Sequence, residues 1–163
     1  MRRQIKKTSE FETRVLDIAR VTRVAAGGRR LRFRATVAIG NRKGKIGLGI
    51  AKSLSVREAI EKAKKAAEKN MIEAVVEEGT IPCSVTGHFG SSKVLLKPRT
   101  VKGLVAGATV RILCQLAGIE SVSSKILSRS KNSFNIARAT MDAFEKLKEY
   151  AIKSDKIKTL SSK

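Results

Sequence analysis

The stretch RRLRFRATVAIG at residues 29–40 alternates between two kinds of side chain, and this alternation limits the chain to folds with at least one β-sheet. Its odd-numbered positions from Leu31 to Ile39 are apolar, whereas Arg30, Arg32 and Arg34 occupy even-numbered positions. Because side chains on a strand point alternately to its two faces, a period of two indicates a half-buried strand. One face of this strand is expected to pack on a core and the other to remain cationic.

Net charge indicates the chemistry of the partner. The 163 residues include 35 Lys and Arg against 14 Asp and Glu, which gives a formal net charge of +21. Such an excess repels itself unless a polyanion neutralises it, and nucleic acid suits this role because each contacted phosphate releases a condensed counterion. An anionic membrane surface is the rival partner, but the chain has no Trp and its apolar helical stripes are Ala and Ile, which weakens that alternative.

The cysteines and the histidine do not form a metal-binding pattern. Cys83 and Cys114 lie outside any CxxC, and His88 is the single histidine, so no zinc site is expected at the usual ligand spacing, and neither a metal nor a cofactor is predicted. A disulfide and two reduced core thiols both fit, with reduced thiols favoured in a cytosolic protein. The basic start MRRQIKK precedes no apolar run, which argues against a secretory signal.

The first half of the chain is predicted to fold as β-β-β-α over residues 11–76, after a flexible basic arm at residues 1–10. Ser55 and Glu58 have the spacing of a capping box, which predicts the start of the helix. The segment from about Leu16 to Val24 fits a short helix or a strand, and a strand is favoured. The other predicted elements are a turn at Gly27 and Gly28, strands in RRLRFRATVAIG and KIGLGIAK joined by NRKG, and a helix from Ser55 to about Met71.

The second half is predicted to fold as β-β-α-β-α over residues 77–152, with EEGTIP as the boundary and a flexible polar tail at residues 153–163. Its predicted elements are strands in IPCSVTGHFG and SKVLLKPRT, a helix in GLVAGATVRILCQLAG with Gly118 as C-cap, a short strand in SVSSKILSRS, and a helix from Asn132 to about Tyr150. The expected fold class is therefore α+β, with two small α/β domains.

The glycine-rich stretch IGNRKGKIGLGIAK at residues 39–52 could in principle be a nucleotide-binding loop. A P-loop needs GxxxxGK followed by Ser or Thr, but Gly40 to Gly44 is one residue short and Ile46 replaces the hydroxyl. A dinucleotide fingerprint needs a third glycine, which is missing after Gly47 and Gly49. The stretch is better interpreted as a β-hairpin, either with a solvated charged tip or with a tip that contacts a nucleic-acid backbone.

The distribution of charge favours the nucleic-acid interpretation. Residues 20–57 contain eleven basic residues and no acid, and residues 82–119 again contain basic residues without an acid. A solvated surface normally mixes the two signs, so each half is predicted to carry a polyanion-binding surface. His88 has no triad-like neighbours and is interpreted as an RNA contact or a loop residue, while Phe89 could stack on a base or anchor its loop.

Five blocks of this sequence occur in an order that resembles the bacterial-type fifth protein of the small ribosomal subunit. They are GGRRLRFRATVAIGNRKGKIGLGIAK, AIEKAKKAAEKNMI, GTIPCSVTGHFGSSKVLLKP, GLVAGATVRILCQLAGI and FNIARATMDAFEKL, and the resemblance covers about residues 11–150. It implies a first domain like a double-stranded-RNA-binding fold and a non-enzymatic, cytoplasmic ribosomal protein that is not a homo-oligomer. It further implies contact with small-subunit (16S-type) ribosomal RNA and with the fourth and eighth small-subunit proteins near the messenger RNA entrance, no membrane, and roles in assembly and translational accuracy.

The resemblance also assigns residues to contacts. RVTRVAAGG is similar to an RNA-contacting loop of the family, although Ala25 and Ala26 replace its usual basic residue. Gly103 and Arg111 match positions at the interface with the fourth protein, in a segment one residue shorter than the family pattern. The predicted RNA contacts are Arg20, Val21, Thr22, Arg23, Gly27, Gly28, Arg29, Arg30, Arg32, Arg34, Asn41, Arg42, Lys43, Lys45, Lys52, His88, Ser91, Ser92, Lys93 and Lys97.

Two other functions stay open at this point. One is a free RNA chaperone or double-stranded-RNA-binding protein that acts outside the ribosome. The separate cationic surface on the second half argues against it, because two such surfaces indicate a binding site made of several RNA helices. The other is a nucleotide-dependent enzyme, because the resemblance implies a second domain with a β-α-β arrangement that several RNA-associated and ATPase proteins share. The missing P-loop and the lack of an acidic Mg²⁺ cluster disfavour it.

Overall fold

The structure, a computed structural model, describes residues 11–161, with side chains described for residues 11–151. The predicted basic arm at residues 1–10 lies outside the described residues. The elements in chain order are β1 (Glu12–Ala25), β2 (Gly28–Gly40), β3 (Lys45–Ser53), α1 (Val56–Lys69), β4 (Met71–Glu73), β5 (Val85–Phe89), β6 (Ser92–Pro98), β7 (Gly103–Val105), α2 (Ala108–Ala117), β8 (Ser121–Ile126) and α3 (Ser133–Ser161). The predicted α+β class is confirmed.

The first sheet is antiparallel, with its strands in the order β1-β2-β3-β4. β1 begins at Glu12, earlier than the predicted start near Leu16, because a β-bulge between Val15 and Asp17 breaks the alternation that would reveal the strand's first residues. β4 was not predicted, since three residues directly after a helix are too few to show a period.

α1 starts near the predicted place but not by the predicted contact. Ser55 is the N-cap residue, yet its side chain makes no capping hydrogen bond, so the capping-box prediction is wrong. The carboxylate of Glu58 instead accepts a hydrogen bond from the hydroxyl of Ser53 at 2.5 Å. Ser53 ends β3, so this bond ties the first turn of the helix to the sheet on which it packs.

The second sheet has the strand order β5-β6-β8-β7, with β7 and β8 parallel and the other pairs antiparallel. β7 was not predicted, so the second half is β-β-β-α-β-α. Gly118 closes α2 in the left-handed conformation at φ +85°, as predicted. Asn132 accepts a hydrogen bond from the backbone N–H of Phe134 and thus caps α3, but the helix continues to Ser161, past the predicted end at Tyr150, since no Gly or Pro interrupts it.

The hydrophobic core joins the two halves. One face of the first sheet packs on α1, while Ala38, Ile46 and Leu48 on its other face share a buried cluster with residues of α2, α3 and the second sheet. Thr36 and Ala38 are 0% exposed, so the prediction that this face of β2 is cationic and solvated is wrong for the inner half of the strand. The second half of the chain covers it there.

The two cysteines do not form a disulfide. Cys83 and Cys114 are both free thiols, and burial raises the pKa of Cys114 to about 12, so this thiol stays protonated at neutral pH. Within residues 11–161, no helix combines the length and the apolar character needed to cross a bilayer.

Candidate nucleic-acid interface

The free end of the β1–β2 hairpin carries a cationic groove, which we call the ribbon-end surface. The strands are joined by a two-residue turn. Its second residue, Gly27, has a backbone φ of +82°, which residues with a Cβ rarely adopt. The groove encloses about 720 Å³, and the exposed leucines Leu31 and Leu54 contribute to its wall. Five basic residues line this groove, and the exposed Arg20, next to the groove-lining Val21 in β1, is counted with them in the ribbon-end surface. The five are Arg23, Arg29, Arg30, Arg32 and Lys52.

None of these six side chains forms an ion pair within the described part of the chain, and all six are exposed. Arg34, farther along β2, marks the inner limit of the surface, because its Nη2 lies 3.4 Å from Oδ2 of Asp17 and its side chain is only 29% exposed. Within the described residues, the positive charge at the ribbon end is therefore left without a carboxylate partner.

The second predicted group of contacts lies at the opposite end of β2. Asn41 and the next three residues form the turn between β2 and β3, where the side-chain oxygen of Asn41 accepts hydrogen bonds from the backbone N–H groups of Lys43 and Lys45. Arg32 and Gly40, the last residue of β2, are eight positions apart, which corresponds to about 26 Å along the strand, and Arg42 lies in the turn beyond it. The predicted phosphate clamp is thus divided into two separate sites.

The side chains of this turn are less available than those of the ribbon end. Arg42 Nη2 lies 2.7 Å from Glu12 Oε2, and this hydrogen bond, helped by Arg14, lowers the pKa of Glu12. Lys45 Nζ lies 4.0 Å from Glu73, whereas Lys43 is exposed and has no ion pair within the described residues. Among the cations of this turn, Lys43 alone keeps its charge free of a described carboxylate.

The backbone of the turn is bonded to the end of α2. The N–H groups of Arg42 and Gly44 donate to the carbonyl oxygens of Leu116 and Ala117, each at 2.9 Å. These carbonyls belong to the last turn of a helix, where no intrahelical donor is left for them. The glycine-rich stretch is therefore a hairpin, as predicted, and its N–H groups bind protein where those of a nucleotide loop would bind phosphate.

The predicted contacts of the second half lie around the β5–β6 turn. His88, Ser91, Lys93 and Lys97 are exposed, but Ser92 is 0% exposed, so its assignment as an RNA contact is wrong: its side chain points into the core. In the same turn, Phe89 packs edge-on against Phe134 with ring centroids 6.2 Å apart, and the guanidinium of Arg138 lies 5.6 Å from the Phe89 ring centre. These contacts favour the anchoring role of Phe89 over base stacking.

Asp142 of α3 holds this turn in place. Its Oδ2 accepts hydrogen bonds from the backbone N–H of His88 at 2.8 Å and from Lys146 Nζ at 2.6 Å. Burial acts to raise the pKa of Asp142, but the hydrogen bonds from Lys146 and His88 outweigh it and lower that pKa below its ordinary value. The charged carboxylate is thus the form that the folded protein favours.

Replacing Asp142 with asparagine is expected to lower the free energy of unfolding at pH 7 by about 1 kcal/mol. Because the folded pKa is lowered, the carboxylate contributes its full stability above the ordinary aspartate pKa of about 4 and loses it as the pH falls through the folded value. Urea unfolding between pH 7 and pH 2 should therefore show a flatter acid limb for Asp142→Asn. Glu145→Gln, on an exposed carboxylate of the same helix, should change stability by less than about 0.5 kcal/mol; equal effects would contradict the role of Asp142.

A groove of about 740 Å³ runs between the start of β1, the β2–β3 turn and α2, and we call it the α2 groove. Arg111 lines it together with Leu104, and Gly103 directly precedes Leu104 in the chain, so the structure brings the two predicted interface positions to one region. Arg14 also lines the groove and was missed by the sequence analysis. Placing the start of β1 at Glu12 would have revealed it.

The described residues also bear on a metal-dependent alternative. Among them, no three His, Cys, Asp or Glu side chains come close enough together to hold a metal ion.

The comparison with known proteins gives a consistent result over nearly the whole chain. Residues 11–74 match the N-terminal domain model of ribosomal protein S5, and residues 87–157 match the C-terminal domain model. The chain belongs to the ribosomal protein S5 family. The small ribosomal subunit protein uS5 of Thermotoga maritima is 46% identical over 139 residues, which cover 85% of this chain and 78% of that protein. The uS5 protein of Thermotoga petrophila is 45% identical over the same length.

Membership in the family confirms the resemblance seen in the sequence. The prediction of a non-enzymatic ribosomal protein that binds ribosomal RNA and is located in the ribosome is confirmed with it. Among the described residues, the ribbon-end surface combines unpaired charge with a groove, and the α2 groove combines charged and apolar lining.

Proposed function

We propose that this S5 protein contacts small-subunit (16S-type) ribosomal RNA chiefly through the ribbon-end surface. The observation that carries the proposal is the set of six exposed basic side chains that have no carboxylate partner within the described residues. Unpaired cations at a protein surface gain most from phosphate, because binding releases the counterions of the RNA.

The ribbon end supports recognition of RNA shape more than of base sequence. Arginine presents a planar fork of donors that can bind two phosphate oxygens at once, and Arg29, Arg30 and Arg32 lie close together at the start of β2. The deep, narrow major groove of A-form RNA hides the base edges, so contacts to phosphate and ribose dominate. Gly27 and Gly28 at the tip have no side chains, and the space where a Cβ would lie is empty at both positions. RNA can therefore approach the backbone of the tip.

The finer set of partners follows the family resemblance. We assign the α2 groove, with Arg111 and Leu104 beside Gly103, to the fourth small-subunit protein, because the groove offers both charged and apolar surface. Contact with the eighth protein, a place near the messenger RNA entrance, and roles in assembly and translational accuracy rest on the resemblance alone. The domain bounds at residues 11–76 and 77–152 likewise remain a proposal, in which two domains share one core.

The proposal is tested by sedimenting cell lysates through sucrose gradients at low and high salt. The wild-type protein is expected to migrate with the small subunit at both salt concentrations. Changing Arg29, Arg30 and Arg32 together to glutamine should leave a free pool in the high-salt gradient, because about three phosphate contacts are lost. Changing Lys64, Lys65 and Lys69 of α1 together to glutamine removes the same charge, from lysines that form no ion pair within the described residues, and should leave sedimentation unaltered.

A wild-type protein that stays at the top of the gradient would point instead to a free RNA chaperone or double-stranded-RNA-binding protein. Equal behaviour of the arginine variant and its α1 control would reject the ribbon-end surface as the main RNA contact.

A further inference from the structure

The outer edge of the first sheet has no strand beside it. β4 is the last strand in the order β1-β2-β3-β4, and within residues 11–161 no further strand pairs with it. Ala74, just after β4, donates its N–H to the carbonyl oxygen of Gly44 at 2.8 Å. Because hydrogen-bonded and non-hydrogen-bonded pairs alternate along an antiparallel ladder, the preceding residue Glu73 directs its backbone N–H and C=O away from β3. Such an edge is a template for an extended peptide.

A groove of about 690 Å³ lies between this strand and α3, and we call it the edge groove. Met71 and Ile72 of β4 line it and are half-buried, so they provide its apolar surface. Glu145 and Glu149, one turn apart on α3, also line it. Both are exposed, and neither forms an ion pair within the described residues. The edge groove therefore combines apolar surface, a free strand edge and two carboxylates without a cationic partner.

The charge of the edge groove differs from that of the rest of the protein. Its two lysines, Lys45 and Lys148, lie 4.0 Å and 3.4 Å from the carboxylate of Glu73 and are held by it. The groove is thus lined by three glutamates and two lysines, in a chain whose formal net charge is +21. Because like charges in contact are costly, the two unpaired carboxylates disfavour RNA phosphate. A basic peptide is the complementary occupant.

The first seven residues of the chain have this complementary chemistry. They read MRRQIKK, with four cations, no acid, and Ile5 between the two pairs of cations. They lie outside the described residues, so only their sequence and the place where the described chain begins bear on their position. An apolar residue flanked by cations matches apolar surface flanked by carboxylates.

The described chain begins at the same end of the first sheet as the edge groove. One row of paired residues crosses the four strands at this end, made of Glu12, Gly40, Ile46 and Ile72. Three strand spacings of about 4.8 Å place Ile72 about 14 Å from Glu12. Ile5 precedes Glu12 by seven residues, which span about 23 Å when extended. The segment is therefore long enough to pass round the β2–β3 turn and reach the groove.

We propose that residues 1–7 dock in the edge groove while the protein is outside the ribosome, with Ile5 on its apolar surface and the arginines beside Glu145 and Glu149. Because segment and groove belong to one chain, the effective concentration is about millimolar for so short a linker, and weak exposed ion pairs suffice. While docked, the four cations are withheld from RNA, so the groove competes with nucleic acid for them. This inference goes beyond the proposed function and does not depend on which surface contacts ribosomal RNA.

Paramagnetic relaxation enhancement in the isotope-labelled full chain, without RNA, tests the docking. A nitroxide is attached to Gln4→Cys in a chain that also carries Cys83→Ser, and the buried, protonated Cys114 should not react. At low salt, the nitroxide should broaden the amide signal of Ile72 but not that of Gly27, at the far end of the β1–β2 hairpin. At about 1 M salt, where the Debye length is about 3 Å, the broadening should largely disappear.

Two variants test the groove itself. Glu145→Gln with Glu149→Gln should weaken docking by about two- to tenfold and reduce the broadening of Ile72 accordingly. The control, Glu78→Gln with Glu120→Gln, neutralises two other exposed carboxylates that share a separate groove and form no ion pair within the described residues. It should keep the wild-type broadening. All four side chains are exposed, so both variants should keep the wild-type midpoint of thermal unfolding.

Four results would overturn the inference. If the signals of Ile72 and Gly27 broaden equally, or if the control variant reduces the broadening as much as the groove variant does, the segment does not dock in the edge groove. If nitroxide-labelled protein broadens Ile72 of separate, isotope-labelled molecules to the same extent, the segment of a second copy occupies the groove. If Ile72 stays sharp but a free peptide of residues 1–10 shifts its signal, the groove takes a basic segment of another protein. Since no RNA is present, each of these failures leaves the sedimentation test of the proposed function unaffected.

Discussion

Replacing Gly118 with alanine is expected to lower the free energy of unfolding by about 3 kcal/mol or more. Gly118 ends α2 at φ +85°, and a Cβ at this position would fall on the backbone carbonyl of Arg42 in the β2–β3 turn. The turn cannot move away easily, since the N–H groups of Arg42 and Gly44 are bonded to the last carbonyls of α2. The variant must therefore break contacts between the two halves of the protein.

Gly27→Ala is the matched control for this experiment. Gly27 has almost the same backbone angle, φ +82°, but nothing lies within 4 Å of where its Cβ would be. Gly27→Ala should therefore lower the free energy of unfolding by only about 1 kcal/mol, which is the cost of placing alanine in the left-handed backbone conformation. The difference between the two midpoints of urea unfolding, at unchanged slope, measures the contact between turn and helix. Equal losses of unfolding free energy in the two variants would mean that the β2–β3 turn moves away from α2 without cost, which would contradict a rigid contact between them.

The same region shows how far the sequence could predict the fold. The local pattern identified Gly118 as a C-cap and NRKG as a turn, and the structure confirms both. It could not identify their mutual contact, because backbone hydrogen bonds between residues more than seventy positions apart leave no periodicity in either segment. The short strands β4 and β7 were missed for a related reason: three residues gain strand geometry from their neighbours and carry no period of their own.

The sequence predicted which basic residues are exposed where a run of like charge marks the surface, but not where packing between distant segments determines exposure. The exposed ribbon-end arginines were predicted from the run of residues 20–57 that holds eleven basic residues and no acid, and from the resemblance of RVTRVAAGG to a family loop. Thr36 lies on the same face of β2 as Arg32, yet it is buried because the second half of the chain packs against this part of the strand. Arg42 was predicted as a phosphate contact, but its partner Glu12 lies thirty positions away and becomes a neighbour only when β1 pairs with β2.

Gly49→Ala is the second change expected to have a large effect, with a loss of about 3 kcal/mol in the free energy of unfolding. Gly49 of β3 faces α1, and its missing side chain lets the backbone of Ala63 and Ala67 approach the strand closely. Ala59, Ala63 and Ala67 are all 0% exposed, so the fully buried side chains of the helix that face the sheet are small. A methyl group on the strand would lift α1 away from this contact.

A control and an attempted rescue make this prediction specific to the backbone contact. Ile50→Ala, on the next residue and the opposite face of β3, should cost only about 1 kcal/mol, because Ile50 is 36% exposed. Adding Ala67→Gly to Gly49→Ala removes one methyl group near the new side chain but leaves the carbonyl of Ala63 and the N–H of Ala67 in its way. The double variant should therefore be no more stable than Gly49→Ala in urea unfolding. Recovery of the wild-type midpoint would show that side chains, and not the helix backbone, limit how closely α1 approaches the sheet.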